Sequence, residues 1–121
     1  MQRSTILIVE DDPLLRADTL ATLEDAGLQV IDKADADEAL GFLLENSTDV
    51  AAVFTDIHMP GHSDGVHLAE VITRHWPHIG VIVTSGAVRP LRGLPARVHF
   101  MPKPWRAADV VEAMQHLVEA A

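Results

Sequence analysis

Two hydrophobic periods alternate along this chain, and few folds accommodate that. Short apolar runs, several of them β-branched, occur at Ile6-Leu7-Ile8-Val9, Leu28 to Ile31, Val50-Ala51-Ala52-Val53-Phe54, Val81-Ile82-Val83 and Val98 to Met101. Between them, apolar residues recur at three- and four-residue spacing, the period of a helix that buries one face. Leu14, Ala17, Leu20, Ala21 and Leu23 form one stripe, and Ala36, Ala39, Leu40, Leu43 and Leu44 a second. Leu68, Val71, Ile72 and His75 form a third. Val110, Val111, Met114, Leu117 and Val118 form the last, in a helix that starts near Arg106. The punctuation agrees. Asp12-Pro13 reads as an N-cap followed by proline at the first helical position, and Gly27 closes that helix. Asp35 and Glu38 resemble a capping box, Ser63 or Asp64 caps the third helix, and Pro77 lies past its end. The run at 50–54 is apolar throughout, as in a strand covered on both faces. Five strands alternating with helices predict an open parallel sheet with right-handed crossovers and helices on both faces. The alternation weakens over Ala87-Val88-Arg89-Pro90-Leu91-Arg92-Gly93-Leu94-Pro95. Two prolines and a glycine leave room there for one helical turn. The crossover helix at that place, fourth in the chain, is expected to be short, irregular or absent.

Composition narrows the class. The chain has 121 residues, inside the range of roughly 100–200 expected for one domain. A single domain over 1–121 is therefore expected, with no room for a second functional unit. Eighteen acidic residues against nine basic ones give a net charge of −9. That balance argues against a nucleic-acid binder, whose affinity comes largely from neutralising phosphates. There is no cysteine, so disulfides, thiolate metal sites and cysteine catalysis are excluded. No apolar run approaches the roughly 18 residues that span a bilayer. The start is too short and too soon acidic for a signal peptide. The expected setting is the cytoplasm, with no membrane partner.

Ligands of open α/β sheets bind beyond the carboxyl ends of the strands. Glu10, Asp11 and Asp12 follow the first strand, Asp56 the third, Thr84 and Ser85 the fourth, and Lys103 the fifth. Clustered carboxylates repel one another and together favour a divalent cation. Oxygen-only ligands suit Mg2+, which also accepts phosphate oxygens. An aspartate can itself be a nucleophile that forms an aspartyl-phosphate. A lysine and a hydroxyl opposite would bind the remaining phosphoryl oxygens. The set therefore reads as magnesium-dependent phosphoryl transfer onto a carboxylate. Taken singly, each residue has a plainer explanation: Asp12 as a helix cap, Lys103 as a solvated cation. Their gathering at one sheet edge is what favours the chemistry.

The sequence resembles the receiver domain of bacterial two-component response regulators. The resemblance is carried by Ile6-Leu7-Ile8-Val9-Glu10-Asp11-Asp12, Asp56-Ile57-His58-Met59-Pro60-Gly61, Val81-Ile82-Val83-Thr84-Ser85-Gly86 and Phe100-Met101-Pro102-Lys103-Pro104, in that order. It implies a flavodoxin-like sheet of strand order 2-1-3-4-5. It also implies that Asp56 is the phosphoacceptor, Asp11 a direct Mg2+ ligand and Glu10 its acidic neighbour. The backbone carbonyl of His58 would be a further ligand, and Lys103 would pair with the phosphoryl group. The peptide bond to Pro104 is expected to be cis. Of the adjacent hydroxyls, Ser85 is favoured as the switch residue over Thr84. Gly86 fits the small residue that follows it, and the loop His62-Ser63-Asp64-Gly65 is one residue longer than the common version. Strand alternation lets one of the pair face the site readily, which would put Thr84 on the other face. Phe100 matches the aromatic switch position.

The resemblance implies partners too. A histidine kinase or histidine phosphotransfer protein would supply the phosphoryl group, and a downstream protein would read the changed face. The short segment after Ser85 resembles a subtype that often occurs without an output domain. Arg89, Arg92 and Arg97 near it read either as a solvated loop or as a docking patch. His58 and Ala87 stand at positions that tune phosphoryl loss in relatives. Seven histidines do not make a zinc site: His58 and His62 share a loop, and no third ligand has suitable spacing. Met59 and Trp105 are expected to pack around the pocket, and Trp76 at a helix end. Three competing readings stand beside the stand-alone switch. One is a receiver cut from a hybrid histidine kinase or larger regulator. Another is an aspartyl-nucleophile phosphatase, which usually has a second acid where His58 stands. The last is an interaction module that is never phosphorylated. A receiver would be no enzyme beyond self-phosphorylation and autodephosphorylation. Oligomeric state is left open.

Overall fold

The computed structural model describes residues 4–58, 64–86 and 94–121. Within them the chain runs β1 (Thr5–Val9), α1 (Pro13–Asp25), β2 (Gln29–Lys33), α2 (Ala36–Asn46), a 3-10 turn (Ser47–Asp49), β3 (Val50–Asp56), α3 (Gly65–His75), β4 (Gly80–Ser85), β5 (His99–Pro102) and α4 (Ala107–Ala120). Every strand pairing is parallel, and the sheet order is β2-β1-β3-β4-β5. This is the doubly wound α/β sheet that the alternating periods predict, in the order that the resemblance implies. The expected short crossover helix rests mainly on residues 87–93, which lie outside the described residues. So do Arg89, Arg92, Ala87 and the loop at 59–63, with Met59 and His62. Among the described residues, no helix is long and apolar enough to cross a membrane.

Strand alternation divides the core between the two faces of the sheet. Leu7, Val9, Val53 and Val83 pack with Ala39, Leu43, Leu68 and Ile72 of α2 and α3. Ile6, Ile8, Ala52, Phe54 and Ile82 pack on the opposite face with Leu23 of α1 and Val110 and Met114 of α4. β3 is buried along its whole length, in keeping with its unbroken apolar run. Burying each such aliphatic side chain contributes about 1.5–3 kcal/mol.

The helix ends follow their capping residues. Asp12 accepts hydrogen bonds from the backbone N–H groups of Leu14 and Leu15, with Pro13 at the first helical position. Asp35 caps α2 through the Glu38 N–H, and the Glu38 carboxylate reaches back to the Ala34 N–H. Asp64 caps α3 through the His67 N–H. Gly27 takes a φ of 86° just past α1, in the left-handed region that glycine adopts freely.

Two apolar stripes differ from expectation. On α1, Leu14 is 81% exposed and Ala17 and Ala21 are also exposed, while Thr19 and Leu23 are buried. The buried face is therefore rotated toward Leu15, Thr19 and Leu23. On α2, Leu44 is 76% exposed and borders an open apolar groove with Leu40, Val71, His75 and Trp76. Periodicity alone cannot distinguish a stripe's core side from its rim.

Gly65 controls how closely α3 approaches the end of β3. Its N–H donates to the Ile57 carbonyl at 2.9 Å. A Cβ built there would lie 2.1 Å from the Asp56 carbonyl oxygen and 2.8 Å from the Ile57 Cα. Both obstacles are backbone, so a larger residue must displace the chain. Gly65→Ala is expected to destabilise the fold by about 1–3 kcal/mol, read as a lower midpoint in urea unfolding. An unchanged midpoint would show that the helix can retreat at no cost.

Candidate functional site

Register brings the site together. β1 pairs with β3 through Val9 and Thr55, so Glu10 and Asp56 emerge side by side as the next residues. β3 pairs with β4 through Asp56 and Thr84, and β4 with β5 through Ser85 and Pro102. Lys103 then follows β5, its backbone N–H donating to the Ser85 carbonyl at 2.9 Å. Four strands thus deliver their chemistry-bearing residues to one edge, as the rule for open α/β sheets anticipates.

The acids lie close together. Glu10 is 6% exposed and Asp56 8%, while Asp11 is open to solvent. One carboxylate oxygen from each of the three lies within 4.8 Å of the other two. The Lys103 ammonium donates to Asp56 Oδ2 at 2.9 Å and stands 3.7 Å from Glu10 Oε1. The His58 backbone N–H donates to the other Asp56 oxygen, Oδ1, at 3.2 Å. The turn after β1 is tied down as well. Glu10 Oε2 accepts the Asp12 N–H at 3.0 Å, and Arg16 Nη1 donates to the Glu10 carbonyl at 2.9 Å. Arg16 Nε also meets Asp32 Oδ2 at 3.2 Å, which links this turn to β2.

This crowding changes proton affinity. Burial pushes the Glu10 carboxyl up from 4.5 to about 7, and the hydrogen bond with Asp11 and the charge of Asp56 push the same way. The Asp12 N–H and the Lys103 charge pull it back. For Lys103, burial favours the neutral amine. The hydrogen bond and charge of Asp56, with those of Glu10, outweigh it and raise the ammonium above 10.5. Three carboxylates converging on one point form an all-oxygen ligand set that fits a hard divalent cation such as Mg2+. Glu10, Asp11 and Asp56 are the side chains that would hold it.

The hydroxyls occupy the two faces of β4. The Asp56–Thr84 register sets Thr84 on the face of Asp56, continuing the line of Phe54 and Ile82. Thr84 thus lies on the opposite face of β4 from Ser85, as strand alternation predicts, and it borders a small void together with Glu10, Asp56 and Trp105. Register decides this, because directly paired residues of neighbouring strands point the same way. Ser85 continues the line of Val83, the face on which Phe100 packs. Ser85 is 1% exposed. The Lys103–Pro104 peptide is cis. Trp105 packs edge-on against Phe54, at 5.6 Å between ring centroids. Trp76 caps the end of α3. Sequence reasoning passed over Arg16 and Gly65. A glycine directly after the Asp64 cap was the available signal for Gly65. Nothing in the sequence marked Arg16, whose partner Asp32 lies on another strand.

Comparison with known proteins agrees with this arrangement. The profile of the response regulator receiver domain matches residues 6–115. The sensor kinase CckA of Brucella abortus is 30% identical over 120 residues, covering 96% of this chain and 13% of that protein. The nitrogen assimilation regulatory protein NtrX of Azorhizobium caulinodans is 30% identical over 121 residues, covering 94% of this chain and 26% of that protein. The chain thus spans about a quarter or less of the length of these two curated relatives. The crystal structure of the receiver domain of the hybrid histidine kinase CckA superposes with a TM-score of 0.81 at 28% identity, covering 94% of this chain and 98% of that one. The chain belongs to the response regulator receiver domain family of two-component signalling.

Proposed function

We propose that this chain is a phosphoacceptor switch in a two-component phosphorelay, with Asp56 as the acceptor. The observation that carries this reading is the contact of Lys103 Nζ with Asp56 Oδ2 at 2.9 Å, beside the carboxylates of Glu10 and Asp11. The donor is a phosphohistidine on a histidine kinase or phosphotransfer protein. An Asp56 oxygen attacks phosphorus, the new O–P bond forms as the P–N bond breaks, and the departing imidazole takes up a proton. Lys103 holds one side of the incoming phosphoryl group. Glu10, Asp11 and Asp56, with the His58 carbonyl, are the groups suited to hold Mg2+. When bound, that ion neutralises charge on the transferring phosphoryl oxygens. Beyond self-phosphorylation and autodephosphorylation, no enzymatic turnover belongs to this function.

The acylphosphate would draw the Ser85 hydroxyl inward, with Phe100 following on the same face. Ligation shifts a population between two packings, and a downstream protein reads the difference. The setting is cytoplasmic. A second reading places the chain within a hybrid histidine kinase or larger regulator. It is favoured by the small share that the chain covers of CckA and NtrX. The site chemistry is the same in either case.

Incubation with a small-molecule phosphodonor and Mg2+ should give wild type a base-labile, acid-stable label. Asp56→Asn should abolish it, and equal labelling of that variant would sink the mechanism.

Metal binding should be linked to pH through Glu10. Its carboxyl titrates at about 7 in the folded chain and at 4.5 in the ordinary case. The folded state therefore holds more protons between those values. Without metal, stability should fall as pH rises from 4.5 to 7. Mg2+ must displace that proton, so its affinity should rise with pH and level off above 7. Titration of tryptophan fluorescence with Mg2+ on both sides of pH 7 measures this, and a pH-independent affinity would refute the role given to Glu10.

A further inference from the structure

The residue beyond the lysine-proline pair is a tryptophan whose ring N–H reaches across to β4. Trp105 Nε1 donates to Thr84 Oγ1 at 3.1 Å. We infer that the Thr84–Trp105 hydrogen bond positions Lys103, fixing to β4 the loop that carries its ammonium to Asp56. This rests on the phosphoacceptor reading and adds two residues to it.

The loop between β5 and α4 is held at two points, and both anchors lie on β4. Lys103 N–H bonds the Ser85 carbonyl at 2.9 Å, and the Trp105 indole bonds the adjacent Thr84 hydroxyl. Thr84 is itself paired with Asp56 across the sheet. The acceptor of the proposed reaction and the anchor of its lysine are therefore one strand apart. Phe54, two residues before Asp56, packs against the indole ring in an edge-to-face contact.

Packing alone does not explain a threonine here. The residue is 3% exposed, and valine has nearly the same shape without the cost of burying a hydroxyl. Among the described residues, Trp105 is the hydrogen-bond partner of that hydroxyl, which accepts in the bond. The same residue borders a void of about 10 Å³ that is lined also by Glu10 and Asp56. A lysine has a long, freely rotating stem, and its entropy works against any single placement. Displacement of a reacting group by about 1 Å can cost on the order of a hundredfold in rate. A tether two residues from Lys103 opposes that displacement.

The test is a cycle of Thr84→Val, which keeps the shape, and Trp105→Phe, which keeps an aromatic ring; each removes one half of the bond. Labelling of Asp56 by a small-molecule phosphodonor with Mg2+ should slow by about three- to tenfold in each single variant. The double variant should be no slower than the singles, because both remove one interaction. Thr84→Ser, which keeps the hydroxyl, should label at close to the wild-type rate. In unlabelled protein, the Trp105 indole proton should exchange with solvent faster in Thr84→Val than in wild type. Losses that multiply in the double variant, or a Thr84→Val protein that labels like wild type, overturn the inference. Should Thr84→Val fail to fold, Trp105→Phe alone decides it by the same comparison. Wild type that takes up no label overturns the phosphoacceptor reading itself, and this inference with it.

Discussion

One cation among three carboxylates is the interaction around which this structure is arranged. Glu10, Asp11 and Asp56 would repel one another if brought together with nothing between them, and two of the three are buried. Lys103 contacts Asp56 directly and approaches Glu10, which raises its own pKa and moderates that of Glu10. The compensation is incomplete, since burial first of all, with the neighbouring acids, still pushes Glu10 up to about 7. A fold that leaves this charge uncompensated gives up some stability to keep a place for added positive charge. Functional sites often show this compromise.

Everything that meets Lys103 depends on where the strands end. Parallel pairing places Glu10, Asp56 and Thr84 on one face, and Ser85 with Phe100 on the other. Gly65 then lets α3 begin against the Asp56 carbonyl, where a side chain would not fit. Arg16 ties the acidic turn to β2, and Trp105 ties the lysine loop to β4. Each tie joins segments far apart in the chain. A parallel sheet needs crossovers between its neighbouring strands, so its site is necessarily assembled from distant pieces.

Much of this was legible beforehand. The strand runs at 6–9 and 50–54 and the cap at Asp12 lie where their patterns put them, because strand and cap signals act over a few residues. Asp56 and Lys103, forty-seven residues apart, could be placed at one edge because the fold class itself gathers strand ends. Leu14 and Leu44 belong to their stripes yet stand exposed, since a stripe's spacing says nothing about how far its rim is covered. Strand alternation separates Thr84 from Ser85, but which of them lies on the Asp56 face depends on the partner strand's register.

By itself, the sequence determined the alternation of strands and helices, the sheet class and the identity of the groups at its edge. These follow from local periodicity, capping chemistry and the geometry shared by all open α/β sheets. The tertiary structure alone decided which hydroxyl lies on the Asp56 face, which glycine admits α3 and which side chains hold the lysine loop. Those outcomes turn on register and on contacts of about 3 Å between remote segments, and no stretch of sequence contains both partners.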